Sequence, residues 1–396
     1  MVKYKLSRHT NINSVEIDDE IPTEFRTGYY ILTDEKRNKD FLINGTIKFF
    51  LDRFSEPKTE AEVLKELEAE THTVNNEMEE ACSKFFKYLC KKKILVPENK
   101  EETSSNKNPL YKPGDCFSNF NILEVISNKP VLDIYKAYDK ISGDTCVIKL
   151  LNRDKISNDS IYQKELYDLE REYAFLRQVS HIPSISKAYT FNKDHNSFAY
   201  ITLEYIEGTS LTHFLAEKAT ILNQADCLQM IEGILTAFTL LHQSGLIHGD
   251  IHPSNILVLE DKTIKIIDLG LSRNVQVENN EVIKFGGISF YMPPERINIS
   301  SVKKYMKEPN LFSDVYQVGV IIYLILYNTT PFKGFIWEEL AKNIKTTEPL
   351  FPRASFSNYT IPQQIVDIIK KCMNKEPSSR YPSATEILED YKKAVL

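Results

Sequence analysis

The chain has 396 residues, 42% hydrophobic and 26% charged, with a formal net charge of -6 at pH 7. That length exceeds one ordinary core and points to two or three domains, while the acidic balance excludes a general nucleic-acid binder, which needs a basic face. No apolar run reaches a membrane span, the N-terminus lacks an apolar signal core, and the six cysteines form no CxxC pair, so we expect a cytoplasmic protein with reduced thiols, no zinc site and no membrane contact.

Residues 1–97 carry their own pattern. "GYYILTD" and "DFLING" read as two strands of a hairpin around the charged turn "EKRNK". "TIKFFLDRF" reads as a helix, and "KTEAEVLKELEAE" as a second one, opened by a capping box of Thr59 and Glu62. "VNNEMEEACSKFFKYLCKKK" is a third helix with a basic end, favourable for the helix dipole, and "ILVPE" closes as a strand. A hairpin, three helices and a final strand suggest a small winged-helix-like domain. Residues 98–114, polar and without apolar period, read as a linker.

Residues 115–396 change character part-way. Strands "FNILEVI", "VLDIYKAYD" and "DTCVIKLLN" precede a charged helix, "SIYQKELYDLEREYAFLRQVS", and two further strands, "SKAYTFN" and "SFAYITLEYI". After "EGTS" the pattern is helical, so a strand-rich lobe (115–206) leads into a helical lobe (207–396). The expected fold class is α+β throughout.

The chemistry concentrates in "LIHGDIHPSNILV", residues 246–258. Phosphoryl transfer needs an acceptor hydroxyl held in line, metal ions on the phosphates and a group to take the hydroxyl proton. Asp250 suits the hydroxyl, and Asn255, five residues on, suits a magnesium ion. Asp268, ending the apolar strand of "IKIIDLG", suits the metal too. In "CVIK", Lys149 sits on a strand facing the cleft, where Glu172 of the next helix can hold it by a charge-assisted hydrogen bond.

These residues, in this order, resemble the eukaryotic-type protein kinase family from about Phe117 onward. "YMPPER" resembles the end of the activation segment, with Glu295, and "EPSSRYPSATEIL" supplies Arg380, the partner of that glutamate. "SDVYQVGVIIYLIL" resembles the helix that anchors the catalytic loop through Asp314, and "LEYIEGTSL" resembles the hinge. The resemblance implies a two-lobed Ser/Thr kinase using ATP and Mg2+. Lys149 and Val147 would meet the nucleotide, Glu204 and Ile206 would offer backbone groups to adenine, and Asn255 and Asp268 would hold the metal. Asp250, Lys149, Glu172 and His252 would form the catalytic group.

The departures are specific. The glycine-rich loop of the family maps to "VISNKPVLDIYKAYD", where Ser127, Lys129 and Leu132 replace its three glycines. We expect Lys129 to contact a phosphate instead. Gly249 replaces the arginine that pairs with a phosphorylated activation loop, His252 replaces a lysine that supports the phosphoryl group, and Ile288 stands where Ser/Thr kinases carry threonine. "HGDIHPSN" also resembles the loop of small-molecule phosphotransferases, and the lost glycines leave a pseudokinase scaffold as an alternative.

Residues 25–97 resemble the PqqD-like fold, the precursor-peptide recognition element of ribosomal peptide biosynthesis. Residues 1–100 hold 17 basic and 19 acidic side chains, which opposes the DNA-binding role of many winged helices. The resemblance implies that a leader peptide adds a strand to the hairpin edge, formed by Tyr29, Tyr30, Ile31 and Leu32, over a groove floored by Phe85, Phe86 and Leu89. The partner would be a precursor peptide or protein substrate. If phosphorylation precedes elimination, a separate lyase or cyclase partner is needed. A conventional signalling kinase with a regulatory first domain is the remaining alternative.

Overall fold

A computed structural model describes residues 2–7, 10–14, 29–34, 39–44, 50–71, 76–91, 93–99, 109–129, 131–156, 158–193, 198–218, 222–275, 291–297, 308–332, 337–352, 355 and 360–395. The chain divides into two compact units, one of residues 1–105 with 333–340, the other of 106–332 with 341–396.

The first unit contains β1 (Tyr4–Leu6), β2 (Thr10–Ser14), β3 (Tyr29–Asp34), β4 (Lys39–Asn44), α1 (Glu60–Thr71), α2 (Asn76–Lys91) and β5 (Leu95–Pro97). The hairpin of β3 and β4 forms, pairing Tyr29 with Asn44 and Asp34 with Lys39. The capping box also forms: Glu62 Oε2 accepts the Thr59 N–H at 2.7 Å, and Thr59 Oγ1 accepts the Glu62 N–H at 3.2 Å. Two short strands have no clear sequence signal. β1 pairs with β5, and β2 pairs with β3.

That second pairing corrects the expected peptide-binding edge. Tyr29, Tyr30, Ile31 and Leu32 lie on the central strand of a β2-β3-β4 sheet, with both flanks already hydrogen-bonded. A peptide cannot add to a strand whose ladder is complete on both sides. The groove floor needs correction too. Phe85, Phe86 and Leu89 are buried with Phe50, Leu51, Phe54 and Val63 in the core of this unit. Phe85 meets Phe50 with ring centroids 5.3 Å apart, and Phe86 meets Tyr4 edge-on at 5.1 Å. A small unit has few such groups, and burying each contributes about 2 kcal/mol, so they close the core rather than face a ligand.

The second unit opens with an antiparallel six-stranded sheet, ordered β10-β11-β9-β8-β7-β6. Its strands are β6 (Cys116–Phe117), β7 (Phe120–Asn128), β8 (Leu132–Asp139), β9 (Thr145–Asn152), β10 (Ala188–Lys193) and β11 (Phe198–Glu204). One face carries a packed aromatic cluster in which Phe117 touches Tyr200 at 5.0 Å and Phe198 at 5.1 Å. The helix α3 (Asp159–Gln178) begins at Asn158, whose side chain accepts the Ile161 N–H.

The rest is mainly helical: β12 (Thr209–Ser210), α4 (Leu211–Lys218), α5 (Gln224–Gln243), β13 (Leu246–Ile247), β14 (Ile256–Val258), β15 (Ile264–Ile266), β16 (Arg273–Asn274), α6 (Leu311–Tyr327), α7 (Trp337–Thr346), α8 (Gln363–Cys372) and α9 (Ala384–Val395). α6 is apolar all round and buried along its length from Ser313 to Tyr327, as a core helix must be. Gly319 lets α8 approach it closely, since a Cβ there would lie 2.5 Å from the Cβ of Cys372. Among the described residues no helix is long and apolar enough to cross a membrane.

Candidate active site

The site is assembled from strand ends and the loops that follow them. Lys149 comes from the middle of β9, held in register between Ile134 of β8 and Ile201 of β11. Glu172 comes from α3, and its Oε1 accepts from Lys149 Nζ at 2.5 Å. Asp268 follows β15 with φ of 68°, a left-handed backbone that aspartate tolerates better than most residues. Its Oδ2 lies 3.5 Å from Lys149 Nζ, and its Oδ1 accepts the Gly270 N–H at 3.0 Å.

These three groups set one another's charge. Burial opposes the Lys149 ammonium, but Asp268 and Glu172 outweigh it and raise its pKa above the usual lysine range. Burial also opposes the Asp268 carboxylate, yet Lys149, Lys129 and the Gly270 N–H hold its pKa well below the usual range. Burial raises the pKa of Glu172, with Lys149 pulling the other way. Asp268 thus stays ionised, with about a third of its side chain exposed (36%).

The catalytic loop is built on one carboxylate. Asp314, fully buried near the start of α6, accepts the His248 N–H at 2.7 Å and the Gly249 N–H at 2.9 Å. His242 Nε2 meets the same carboxylate at 3.2 Å, while its Nδ1 accepts the Ala384 N–H at 3.1 Å. Gln317 Oε1 takes the Ile251 N–H at 3.3 Å. Gly249 has φ of 78°, and a Cβ there would meet Leu271 O at 2.9 Å, so glycine suits both backbone and space. Arg296 approaches from the "YMPPER" segment and donates to Gly249 O at 2.9 Å. His248 packs on Phe238 and is kept neutral by burial, which lowers its pKa although Asp314 pulls upward.

Along this loop Asn255 Nδ2 donates to Asp250 O at 3.2 Å. His252 Nε2 lies 3.7 Å from Asp250 Oδ2, beside the expected phosphoryl path. Asn255 directly precedes β14 and Asp268 follows β15, and these ends adjoin, for β14 pairs with β15 and the Ile267 N–H donates to Asn255 O. Both offer hard oxygen donors, which fit Mg2+ completed by phosphate oxygens and water. Among the described residues no group of three or more His, Cys, Asp and Glu could hold a metal on its own.

At the hinge, Val147 pairs with Leu203, and Glu204 with Cys146. The Glu204 carboxylate is occupied by Lys265 Nζ at 2.8 Å, and its N–H donates to Lys187 O. Ile206 follows, half-buried, in the stretch after β11. Lys129 is half-buried at the β7–β8 turn, and Ile288 lies outside the described residues. Arg380 clamps Glu295 with two bonds of 2.9 and 2.8 Å, as the motif order implies.

Four contributors do not stand out in the sequence. Arg171 donates to Gly270 O at 3.2 Å and pairs with Asp168 at 3.0 Å, tying α3 to the metal loop. Its one signal is its place beside Glu172. Lys155 and Asp133 form a buried pair near Lys129, and both read as surface charges. His242 lies inside an apolar stripe that reads as core packing.

A family profile for the protein kinase domain matches residues 131–391, about two thirds of the chain. The chain is 28% identical over 279 residues to the serine/threonine-protein kinase PrkC of Bacillus subtilis, covering 69% of this chain and 40% of that protein. It is 25% identical over 274 residues to the probable serine/threonine-protein kinase PknB of Lactococcus lactis, covering 68% and 41%. It is 27% identical over 277 residues to the serine/threonine-protein kinase RAD53 of Saccharomyces cerevisiae, covering 68% and 32%. The chain thus spans about two fifths or less of the length of these curated relatives.

Proposed function

The chain belongs to the protein kinase family, and from that premise we propose that it is a cytoplasmic ATP-dependent Ser/Thr protein or peptide kinase, acting on a precursor peptide recruited by its first unit. Protein kinases of this kind use ATP and Mg2+. Magnesium, when bound, would be held by Asn255 and Asp268 and would supply positive charge against that developing during transfer.

The residues divide the remaining work. Lys149, fixed by Glu172, binds the α- and β-phosphates. Asn255 and Asp268 hold the metal. Asp250 orients the acceptor hydroxyl and takes its proton, and His252 stands beside the transferred group. Glu204 and Ile206 offer backbone groups to adenine, Val147 lines its pocket, and Lys129 approaches the phosphates. The observation that carries this reading is the Lys149–Glu172 contact of 2.5 Å with Asp268 at 3.5 Å. A lone buried charge is costly, so keeping all three groups together favours a working nucleotide site over an inert scaffold.

The peptide half of the proposal is supported by the resemblance of residues 25–97 to the PqqD-like fold and by the β2-β3-β4 sheet. Among the described strands β2 and β4 are the outer ones, so an added strand would pair there and not on β3. Tethering a captured peptide raises its local concentration at the kinase. Where phosphate is later eliminated, a separate lyase or cyclase would complete the chemistry.

Intact-mass spectrometry after incubation with Mg-ATP and a candidate precursor peptide tests the proposal, with Asp250→Asn as control. Phosphate on the peptide that needs residues 1–100 and disappears in the control is the expected result. Retained transfer to generic substrates without residues 1–100 would favour a signalling kinase. Nucleotide binding without transfer to anything would identify a pseudokinase.

A further inference from the structure

The turn joining β7 to β8 stands where the family carries its glycine-rich loop, and it is built on another principle. The Lys129 N–H is already committed, donating to Leu132 O at 2.9 Å. The next residue in the sequence is Pro130, which has no N–H. The tip therefore offers little of the backbone N–H cradle by which glycine-rich loops hold phosphate.

One buried ammonium holds this turn together. Lys155 follows β9 in a short 3-10 turn (Arg153–Lys155), and its side chain is 2% exposed. Its Nζ donates to Asp133 Oδ1, to Asn128 Oδ1 and, at 3.3 Å, to Lys129 O. Asp133 is fully buried, and its second oxygen accepts the Leu110 N–H at 3.4 Å. An ammonium has three protons, and here all three are directed at a single hairpin tip. A buried ion pair rarely adds net stability over an apolar pair of the same size, so its worth lies in the geometry it imposes. That geometry fixes the backbone at 128–129, and with it the direction in which Lys129 leaves the chain.

We propose that Lys155, gripped by Asp133 and Asn128, is a positioning residue that holds the β7–β8 turn so that the Lys129 side chain reaches the nucleotide triphosphate beside Lys149. A second ammonium thereby takes over the work of backbone N–H groups. The inference rests on the nucleotide-binding reading above and deepens it, since it makes affinity depend on phosphate charge through a residue that touches no nucleotide.

The test is equilibrium binding of Mg-ATP and of adenosine to the full chain. The variants are Lys129→Ala, the paired change Lys155→Met with Asp133→Leu, which leaves no lone buried charge, and Asn128→Ala, which keeps the ion pair and removes one grip. Lys129→Ala and the paired change should each weaken Mg-ATP about tenfold and leave adenosine within about twofold. Their combination should lose no more than either alone, because both act through one ammonium. Asn128→Ala should show a smaller loss of the same kind, and it decides the matter if the paired change fails to fold. Unchanged Mg-ATP affinity in the folded variants, or additive losses, would overturn the proposal while leaving the nucleotide site standing. A wild-type chain that binds neither ligand would overturn both.

Discussion

Two stretches of the second unit face the same expected ligand and are positioned in opposite ways. The catalytic loop is gathered by an anion, for Asp314 collects two N–H groups and an imidazole nitrogen. The phosphate-facing turn is gathered by a cation, for Lys155 collects a carboxylate, an amide oxygen and a carbonyl. In each case a buried charge makes several bonds around one short stretch of chain, at least one of them to its backbone, and the functional side chain hangs from that stretch. The difference lies in what is left when the centre is removed. Loss of Asp314 strands N–H donors and an imidazole; loss of Lys155 strands a carboxylate.

The comparison can be broken most sharply at the groups being positioned. Asp250→Asn should lower phosphoryl transfer about 10²–10⁴-fold with Mg-ATP affinity nearly unchanged, as measured by turnover and by binding on the same sample. An equal fall in affinity would mean that the loop positions nucleotide and not the acceptor. Asp314→Ala should cost about 3–5 kcal/mol in denaturant unfolding of the second unit, since it leaves buried donors without their acceptor. Gly319→Ala probes the same helix less directly. The new Cβ must displace Cys372, at a cost of about 1–3 kcal/mol, and turnover should fall as α6 carries Asp314 with it. Cys372 itself gives a pH test. Burial raises its thiol pKa, so its contribution to stability is complete below about pH 8.5 and declines above it, where only the unfolded thiol ionises. We expect a loss of about 1 kcal/mol between pH 8.5 and 9.5, reduced in Cys372→Ala. Thr59→Ala should cost about 1 kcal/mol in the first unit through its helix cap and leave nucleotide binding untouched, which checks that the other effects are local.

The anion-centred half is legible in the sequence because its residues fall in a recognisable order. Motif order read through the resemblance to protein kinases points to Lys149, Glu172, Asp250, Asn255, Asp268, Asp314 and the Glu295–Arg380 pair, and the fold brings Lys149, Glu172 and Asp268 together and pairs Glu295 with Arg380. The cation-centred half is not legible. Lys155 lies in "NRDKIS", a charged stretch that reads as an exposed turn, and Asp133 lies in a strand whose neighbours alternate. Only the fold shows that both are buried and face one another. In the first unit the hairpin and the two later helices follow from alternation, capping and apolar spacing. β1 and β2 do not, because "YKL" and "TNINS" are too short and too polar to announce a strand until a partner exists. Without β2, Tyr29–Leu32 would read as an edge. Phe85, Phe86 and Leu89 mislead for a related reason: an amphipathic helix shows which face is apolar, and does not say whether a core or a ligand will cover it.

His242 carries one more consequence, for the order in which this protein acquires its chemistry. Its ring joins the carboxylate under the catalytic loop to the first turn of α9, contacts that span 72 and 142 residues of sequence. Contacts so distant in the chain close late. During synthesis the N–H groups of His248 and Gly249 can find Asp314 as soon as α6 emerges, but the imidazole that steadies that carboxylate lacks its second anchor until Ala384 has been made. A nascent chain without α9 would hold every residue assigned to phosphoryl transfer and still lack one anchor of the loop, so the full set of contacts under that loop arrives only once α9 has been made.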